Sequence, residues 1–259
     1  MHSLSRIRQA ANEAATLPNP HRSLAAQGID IRRGEVSMVA GPPGAGKSTF
    51  ALDFAIRSGQ PTVYFSADTH AYTMKMRTLA MLTGMHQSEV EPLMAADPEW
   101  AARTLARANH IGWCFESAPS LRDMEQEIEA HREVHGEDPK LVVFDNLIDA
   151  SFDSGDEYGS MRALLREFKW WARDTDAAFL VLHHTSESVP GNPCPPRSAL
   201  HGKVAQTPAM ILTVTGDNEG FMGVAAVKNR YGRANASGSD PVWLLYNPSN
   251  MQIKDVVDR

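Results

Sequence analysis

The sequence is short of cysteine, of long apolar runs and of positive charge, and each shortage removes a class of function. Two cysteines, Cys114 in an apolar segment and Cys194 in a Pro-rich stretch, are too few for a disulfide framework and lie at no metal-binding spacing. Free thiols in a reducing compartment are expected. No apolar run approaches the roughly 18 residues of a membrane-spanning helix, and the basic N-terminus MHSLSRIRQA lacks the apolar stretch and cleavage site of a secretory signal. The expectation is a cytoplasmic chain with no membrane partner. The formal net charge of −6 means the chain as a whole does not attract polyanions, so any nucleic-acid contact has to come from local basic groups.

The 259 residues suffice for one large core, and 42% hydrophobic with 22% charged residues is ordinary for a globular chain. Residues 3–16 are Ala-rich, with Leu4, Ile7 and Ala11 at helical spacing, and Pro18 and Pro20 separate them from the rest. Residues 1–20 therefore read as an N-terminal helix and linker, and 21–259 as the main domain. There, strand-like segments at 35–40, 62–67, 111–116, 141–147 and 177–184 alternate with helical patterns, which predicts an α/β fold with a mostly parallel sheet covered by helices. Helices are expected over 160–174, with Met161, Leu164, Leu165, Phe168 and Trp171 inward, and over 120–135, with Leu121, Met124 and Ile128 inward. Residues 72–109 read as two or three helices broken near Gly84 and Pro92. After residue 208, MILTVTG, FMGVAAVKNR, VWLLYN and MQIKDV are separated by turn-rich stretches and read as antiparallel hairpins.

GPPGAGKST, residues 41–49, follows a strand and opens a helix, which is the context required of a phosphate-binding loop. Gly41, Gly44 and Gly46 let the backbone turn tightly and present N–H groups to the phosphates at a helix N-terminus, and Pro42, Pro43, Ala45 and Thr49 complete the expected nucleotide-binding loop. Lys47 supplies charge to the β and γ phosphates, and Ser48 offers a hydroxyl to Mg²⁺. ATP or GTP is the expected ligand. The apolar run LVVFDNL ends in an acid, and Asp145 is the expected second Mg²⁺ residue, acting through water. Asn146 follows it where many ATPases place a catalytic Glu, so the carboxylate that orients the attacking water has to lie on another strand end. Asp68 and Glu116 are the candidates.

The segment YFSADTHAYTMKMRTLAMLTG, 64–84, resembles the DnaB-type replicative helicases, in which F-S-L-E-M-S leads into a helix. By that resemblance Asp68 takes the place of the family's catalytic Glu, one methylene shorter. VLHHTSES, 181–188, is similar to the family's strand that ends in a γ-phosphate sensor, with His184 where Gln is usual. AAVKNRYG, 225–232, is similar to the late strand carrying Lys-x-Arg, so that Lys228 and Arg230 reach a neighbouring subunit's γ phosphate, Arg230 as the arginine finger. The order of these four motifs implies a RecA-like motor domain over roughly residues 20–250, binding ATP and Mg²⁺ and working on single-stranded DNA as a homo-oligomer, typically a hexameric ring. The family's N-terminal primase-contacting domain has no counterpart in the sequence, and the helix expected over 3–16 stands in its place.

The loops after the fourth and fifth strands face DNA in such motors. Residues 149–160 are rich in acids and have no Lys or Arg, which opposes phosphate contact. Residues 185–203 end with Arg197, His201 and Lys203, the candidate DNA-binding residues. Two readings compete with a helicase or translocase: a non-motor ATPase of the same fold, such as a recombinase or an assembly switch, and a metal-dependent nuclease built from Asp68, Glu116 and Asp145. The pair His183–His184 is also a possible metal site, without a third ligand at suitable spacing.

Overall fold

The computed structural model describes residues 16–150, 157–186, 192–216 and 219–256, so the helix expected over 3–16 lies outside the described residues. One nine-stranded sheet organises the chain, in the order β3-β2-β4-β5-β1-β6-β7-β8-β9. β1 (Val36–Gly41), β2 (Thr62–Ser66), β3 (Ile111–Cys114), β4 (Leu141–Asp145), β5 (Ala178–His184) and β6 (Met210–Gly216) run parallel. β7 (Phe221–Asn229), β8 (Val242–Asn247) and β9 (Gln252–Asp255) complete it as an antiparallel meander, as the turn-rich C-terminal sequence predicts. β1, β2 and β4 are buried at every position, as parallel strands covered on both faces have to be.

One face is covered by α2 (Lys47–Ser58), α3 (Ala71–Thr83), α4 (Gln87–Ala96) and α5 (Pro98–Leu105), whose apolar residues join Tyr64, Val143 and Leu180 of the strands. The other is covered by α6 (Leu121–His135), α7 (Glu157–Thr175) and the segment before β6, around Phe144, Phe168 and Phe179. The inward residues expected of α7 are buried or packed against that core. Leu121 is an exception, 44% exposed at the first position of α6, where the Ser120 capping box rather than packing fixes the helix start.

The helix break expected at Pro92 falls elsewhere. Pro92 lies inside α4, and the chain breaks at Asp97–Pro98, where the Asp97 side chain accepts from Trp100 N and proline occupies the first helical position. Pro92 removes one donor, whereas Val90 and Met94 on either side of it are buried and hold the helix to the core. The Gly84 break is observed, with that glycine as the left-handed C-cap of α3.

The short helix α1 (Arg22–Ala26) is tied to the helix that follows the cradle by a buried pair. His21 Nε2 lies 2.8 Å from Asp53 Oδ2 on α2, and Arg57, one turn on, donates to the Pro20 and Ile253 carbonyls. Asp53→Ala strands the His21 ring in the core without that partner. It is expected to cost about 1–3 kcal/mol in urea denaturation, the usual penalty of an orphaned buried donor.

Candidate nucleotide site

The C-terminal ends of the central strands converge, since Gly41 pairs with His184 and Ser66 with Asp145. This edge of an open α/β sheet is where ligands bind. The cleft there has a volume of about 360 Å³ and is lined by Gly44, Gly46, Lys47, Ser48, Asp68, Asp145 and His184, among others.

The cradle turns on two left-handed glycines, Gly44 at φ 77° and Gly46 at φ 87°. At Gly46 a Cβ would lie 2.5 Å from Met222 Cε and 3.2 Å from the Tyr246 hydroxyl, so both conformation and space demand glycine. Gly41 is constrained by closeness alone: a Cβ there would lie 2.7 Å from the Val214 carbonyl oxygen. Lys47 is buried, and its ammonium donates to the carbonyls of Gly41 and Pro42, each at 3.0 Å. Burial lowers its pKa, against the opposing pull of Asp145 and Asp68.

Asp145 is 3% exposed, and Tyr64 donates to its Oδ2 at 3.3 Å. Burial pushes its carboxyl up to about 6, opposed by hydrogen bonds from Ser48 and Tyr64 and by Lys47, and reinforced by Asp68. A hydroxyl beside a carboxylate is a set of hard oxygen donors. It suits Mg²⁺, which takes one or two protein oxygens and completes its shell with phosphates and water.

The two candidate carboxylates part company. Asp68 lies two residues past β2, exposed and lining the cleft. Glu116 lies past β3, the edge strand, exposed and one strand further out, and does not line the cleft. The three acids Asp68, Glu116 and Asp145 therefore do not converge, and the nuclease reading loses its constellation. The histidine pair is split too, because adjacent strand residues face opposite sides. His184 lines the cleft and accepts from Asn146 Nδ2 at 3.2 Å, whereas His183 is fully buried with Nε2 2.9 Å from the His201 carbonyl. Among the described residues no group of three or more His, Cys, Asp or Glu gathers to hold a metal.

The remaining sequence-predicted residues lie away from the cleft. Lys228, on β7, donates to the Ala205 and Gln206 carbonyls at 2.7 and 2.9 Å, and Arg230 pairs with Glu35 at 3.5 Å. Arg197, His201 and Lys203 are exposed on the short 3₁₀ turns before β6. Residues 151–156, and 187–191 of the second loop, lie outside the described residues.

A family model described as an AAA domain matches residues 3–188. The chain belongs to that family. This AAA-domain chain is also 31% identical to the Gene 65 protein of Mycobacterium phage L5 over 248 residues, covering 92% of each. In fold it is similar to a solved DnaB-like replicative helicase, with a TM-score of 0.80 at 15% identity. That match covers 93% of this chain and 63% of the helicase. It is also similar to the RadB recombinase, with a TM-score of 0.63 at 16% identity, covering 93% of this chain and all of the other. The AAA-domain chain thus has the RecA-like ATPase fold that its four motifs imply, and its likeness to DnaB-type motor domains extends over most of its length. Among its described residues no helix is long and apolar enough to cross a membrane.

Sequence reasoning missed several cleft residues. Arg77 of α3 and Gln87 of α4 line it, as do Tyr246, Pro248 and Met251 from the C-terminal meander. Arg77 had a signal, a cation two turns into a helix that begins just after Asp68. Tyr246 and Pro248 had none, because a separate supersecondary unit brings them to the cradle.

The His183 ring is held neutral, its pKa lowered to about 4 chiefly by burial. The unfolded chain takes up this proton near 6.5 and the folded chain only near 4, so His183 lets stability fall as pH drops through that interval. The loss amounts to at most about 3 kcal/mol. Urea denaturation at pH 7 and pH 4.5 is expected to show a smaller acid loss in His183→Gln than in the unmodified chain.

Proposed function

We propose that the chain is an ATP-driven helicase or translocase on single-stranded DNA, working as a ring of identical subunits, hexameric by analogy with the helicases it resembles. The observation that carries this reading is the separation of its two catalytic ends. The cradle starts at the C-terminal end of β1, whereas Arg230 pairs with Glu35 at the other end of that strand, about 20 Å away at the usual rise per residue. Such an arginine serves a triphosphate only on another subunit.

In this reading the N–H groups around Gly44 and Gly46 receive the phosphates, and Lys47 exchanges its two carbonyl partners for phosphate oxygens. Ser48 and Asp145 hold Mg²⁺, which when bound offsets charge developing on the phosphate oxygens. Asp68 orients the attacking water and His184 senses the γ phosphate. The His183 contact with the His201 carbonyl lies one residue away, so a change at His184 has a short route to the segment carrying His201 and Lys203, which we assign to DNA. The acid-rich stretch 149–160 favours a second reading, a non-motor ATPase that assembles on nucleotide. Absence of unwinding on a forked duplex, with ATPase activity intact, selects it.

Asp68→Asn is expected to keep MgATP binding and lose at least ~10²-fold in turnover, as when a water-orienting base is removed. Glu116→Gln serves as the control and is expected to stay near the unmodified rate. The opposite pattern identifies the other carboxylate.

The shared site permits a mixing experiment. Lys47→Ala loses hydrolysis through its cradle, and Arg230→Ala through its finger, which is worth ~10³ to 10⁵ in rate. Each retains what the other lacks, so co-assembled mixtures are expected to recover part of the activity. A mixture that co-assembles and stays inactive removes Arg230 from the site.

A further inference from the structure

Tyr64 carries a polar group into a place where packing needs none. Its side chain is fully buried on β2, in the core covered by α2, α3, α4 and α5, with the ring 4.9 Å from that of Trp113 on β3. A phenylalanine ring fills the same space, so the hydroxyl answers to something other than the core. A buried hydroxyl needs a partner, and this one donates to Asp145 Oδ2 at 3.3 Å. The register makes that reach possible. Tyr64 stands opposite Val143 on β4, and Asp145 lies two residues further along the same face, about 7 Å toward the cleft. A tyrosine side chain leaning along the strand spans that length while its aromatic stem stays in the core. Burial and the Asp145 charge raise the Tyr64 pKa, so the hydroxyl keeps its proton and acts as a donor; Arg77, which lines the cleft, is near enough to oppose them.

We propose that Tyr64 is a positioning residue for Mg²⁺, its hydroxyl fixing the Asp145 carboxylate in the orientation that receives the hydrated ion. The proposal rests on the reading that Ser48 and Asp145 hold Mg²⁺. A carboxylate at a strand end turns about its last bond, and each hydrogen bond from a fixed donor narrows that turn. Asp145 has two such donors, Ser48 from α2 and Tyr64 from the neighbouring strand. Ser48 is assigned to the ion itself, so its hydroxyl proton is the one free to leave the carboxylate when the ion binds. Tyr64, held in the core by Trp113, is the donor that stays. Mg²⁺ keeps a near-ideal octahedral shell and most of its waters, so an acceptor for those waters has to be aimed. Hydrogen bonds that orient a metal's carboxylates are worth about 10- to 100-fold in metal affinity. Ca²⁺ accepts looser and more varied geometry, and it loses less when the carboxylate is free to turn.

The test uses Tyr64→Phe, which removes the hydroxyl and keeps the ring, with urea denaturation to confirm folding. Binding of a fluorescent, non-hydrolysable ATP analogue is measured in EDTA and then against rising Mg²⁺ and, separately, rising Ca²⁺. The same series is run on Asp145→Asn and on the double variant. In Tyr64→Phe the affinity in EDTA is expected to match the unmodified chain, whereas the Mg²⁺ needed for half-maximal enhancement rises at least ~10-fold. The Ca²⁺ requirement is expected to rise less. In the Asp145→Asn background the loss of the hydroxyl is expected to add nothing, because its effect passes through the carboxylate. An unchanged Mg²⁺ requirement overturns the proposal, as does an equal shift with and without the Asp145 carboxylate. A loss of affinity already present in EDTA also overturns it and makes Tyr64 a packing residue of the pocket. An unmodified chain that binds the analogue with no dependence on Mg²⁺ instead removes the ion from Ser48 and Asp145, and the proposal falls with that reading.

Discussion

The site depends on a close approach at Gly46. Its backbone is left-handed, and the space where a side chain would start is filled by Met222 of β7 and Tyr246 of β8. The antiparallel meander is therefore the wall against which the cradle is pressed, as well as the end of the sheet. The same contact brings Tyr246 to the edge of the cleft, and the turn after it contributes Pro248, whose carbonyl accepts from Gln87 of α4 at 3.0 Å. Three distant stretches of sequence thus close one pocket, and the helices covering the sheet are held in register with its last strands.

Burial then sets the chemistry of that pocket. Lys47 and Asp145 are both inside, and burial opposes the charged form of each. Each relieves part of the other's cost, yet Lys47 still spends its donors on two backbone carbonyls and Asp145 still draws on Ser48 and Tyr64. A phosphate and a divalent cation, the ligands of the proposed function, would supply the missing counter-charge to both at once. The site is poised by this shared deficit, which is a property of the buried strand ends rather than of any single motif residue.

What the sequence made legible were features whose signals are local. The cradle, the parallel strands, the C-terminal hairpins and the inward face of α7 each carry their own pattern of glycine, apolar periodicity or turn residues. Strand order has no such signal, and this is why Asp68 and Glu116 looked equivalent: each follows an apolar strand by a residue or two. Only the position of β3 at the sheet edge separates them. Pro92 misled for a related reason, since a proline's local effect was weighed without the buried Val90 and Met94 that hold α4 together. The histidine pair was ambiguous until alternation along β5 sent one ring into the core and the other into the cleft.

If Arg230 is the finger proposed above, it has to be restrained while no neighbour is present, and Glu35 is placed to do it. Its carboxylate holds Arg230 at 3.5 Å and accepts from the Tyr231 hydroxyl, while Arg32 lies over the Tyr231 ring at 4.7 Å. Arg230 is 41% exposed, so this pairing is screened and contributes little to stability, about 1 kcal/mol or less. A weak hold suits the change of partners that the proposed function requires, since a triphosphate carries more charge than one carboxylate and would displace Glu35 on that reading. Because Glu35 immediately precedes β1, the strand that enters the cradle, the Arg230–Glu35 pair and the cradle share one rigid element. In the proposed ring, the two ends of β1 would therefore couple what a subunit offers its neighbour to what it holds itself.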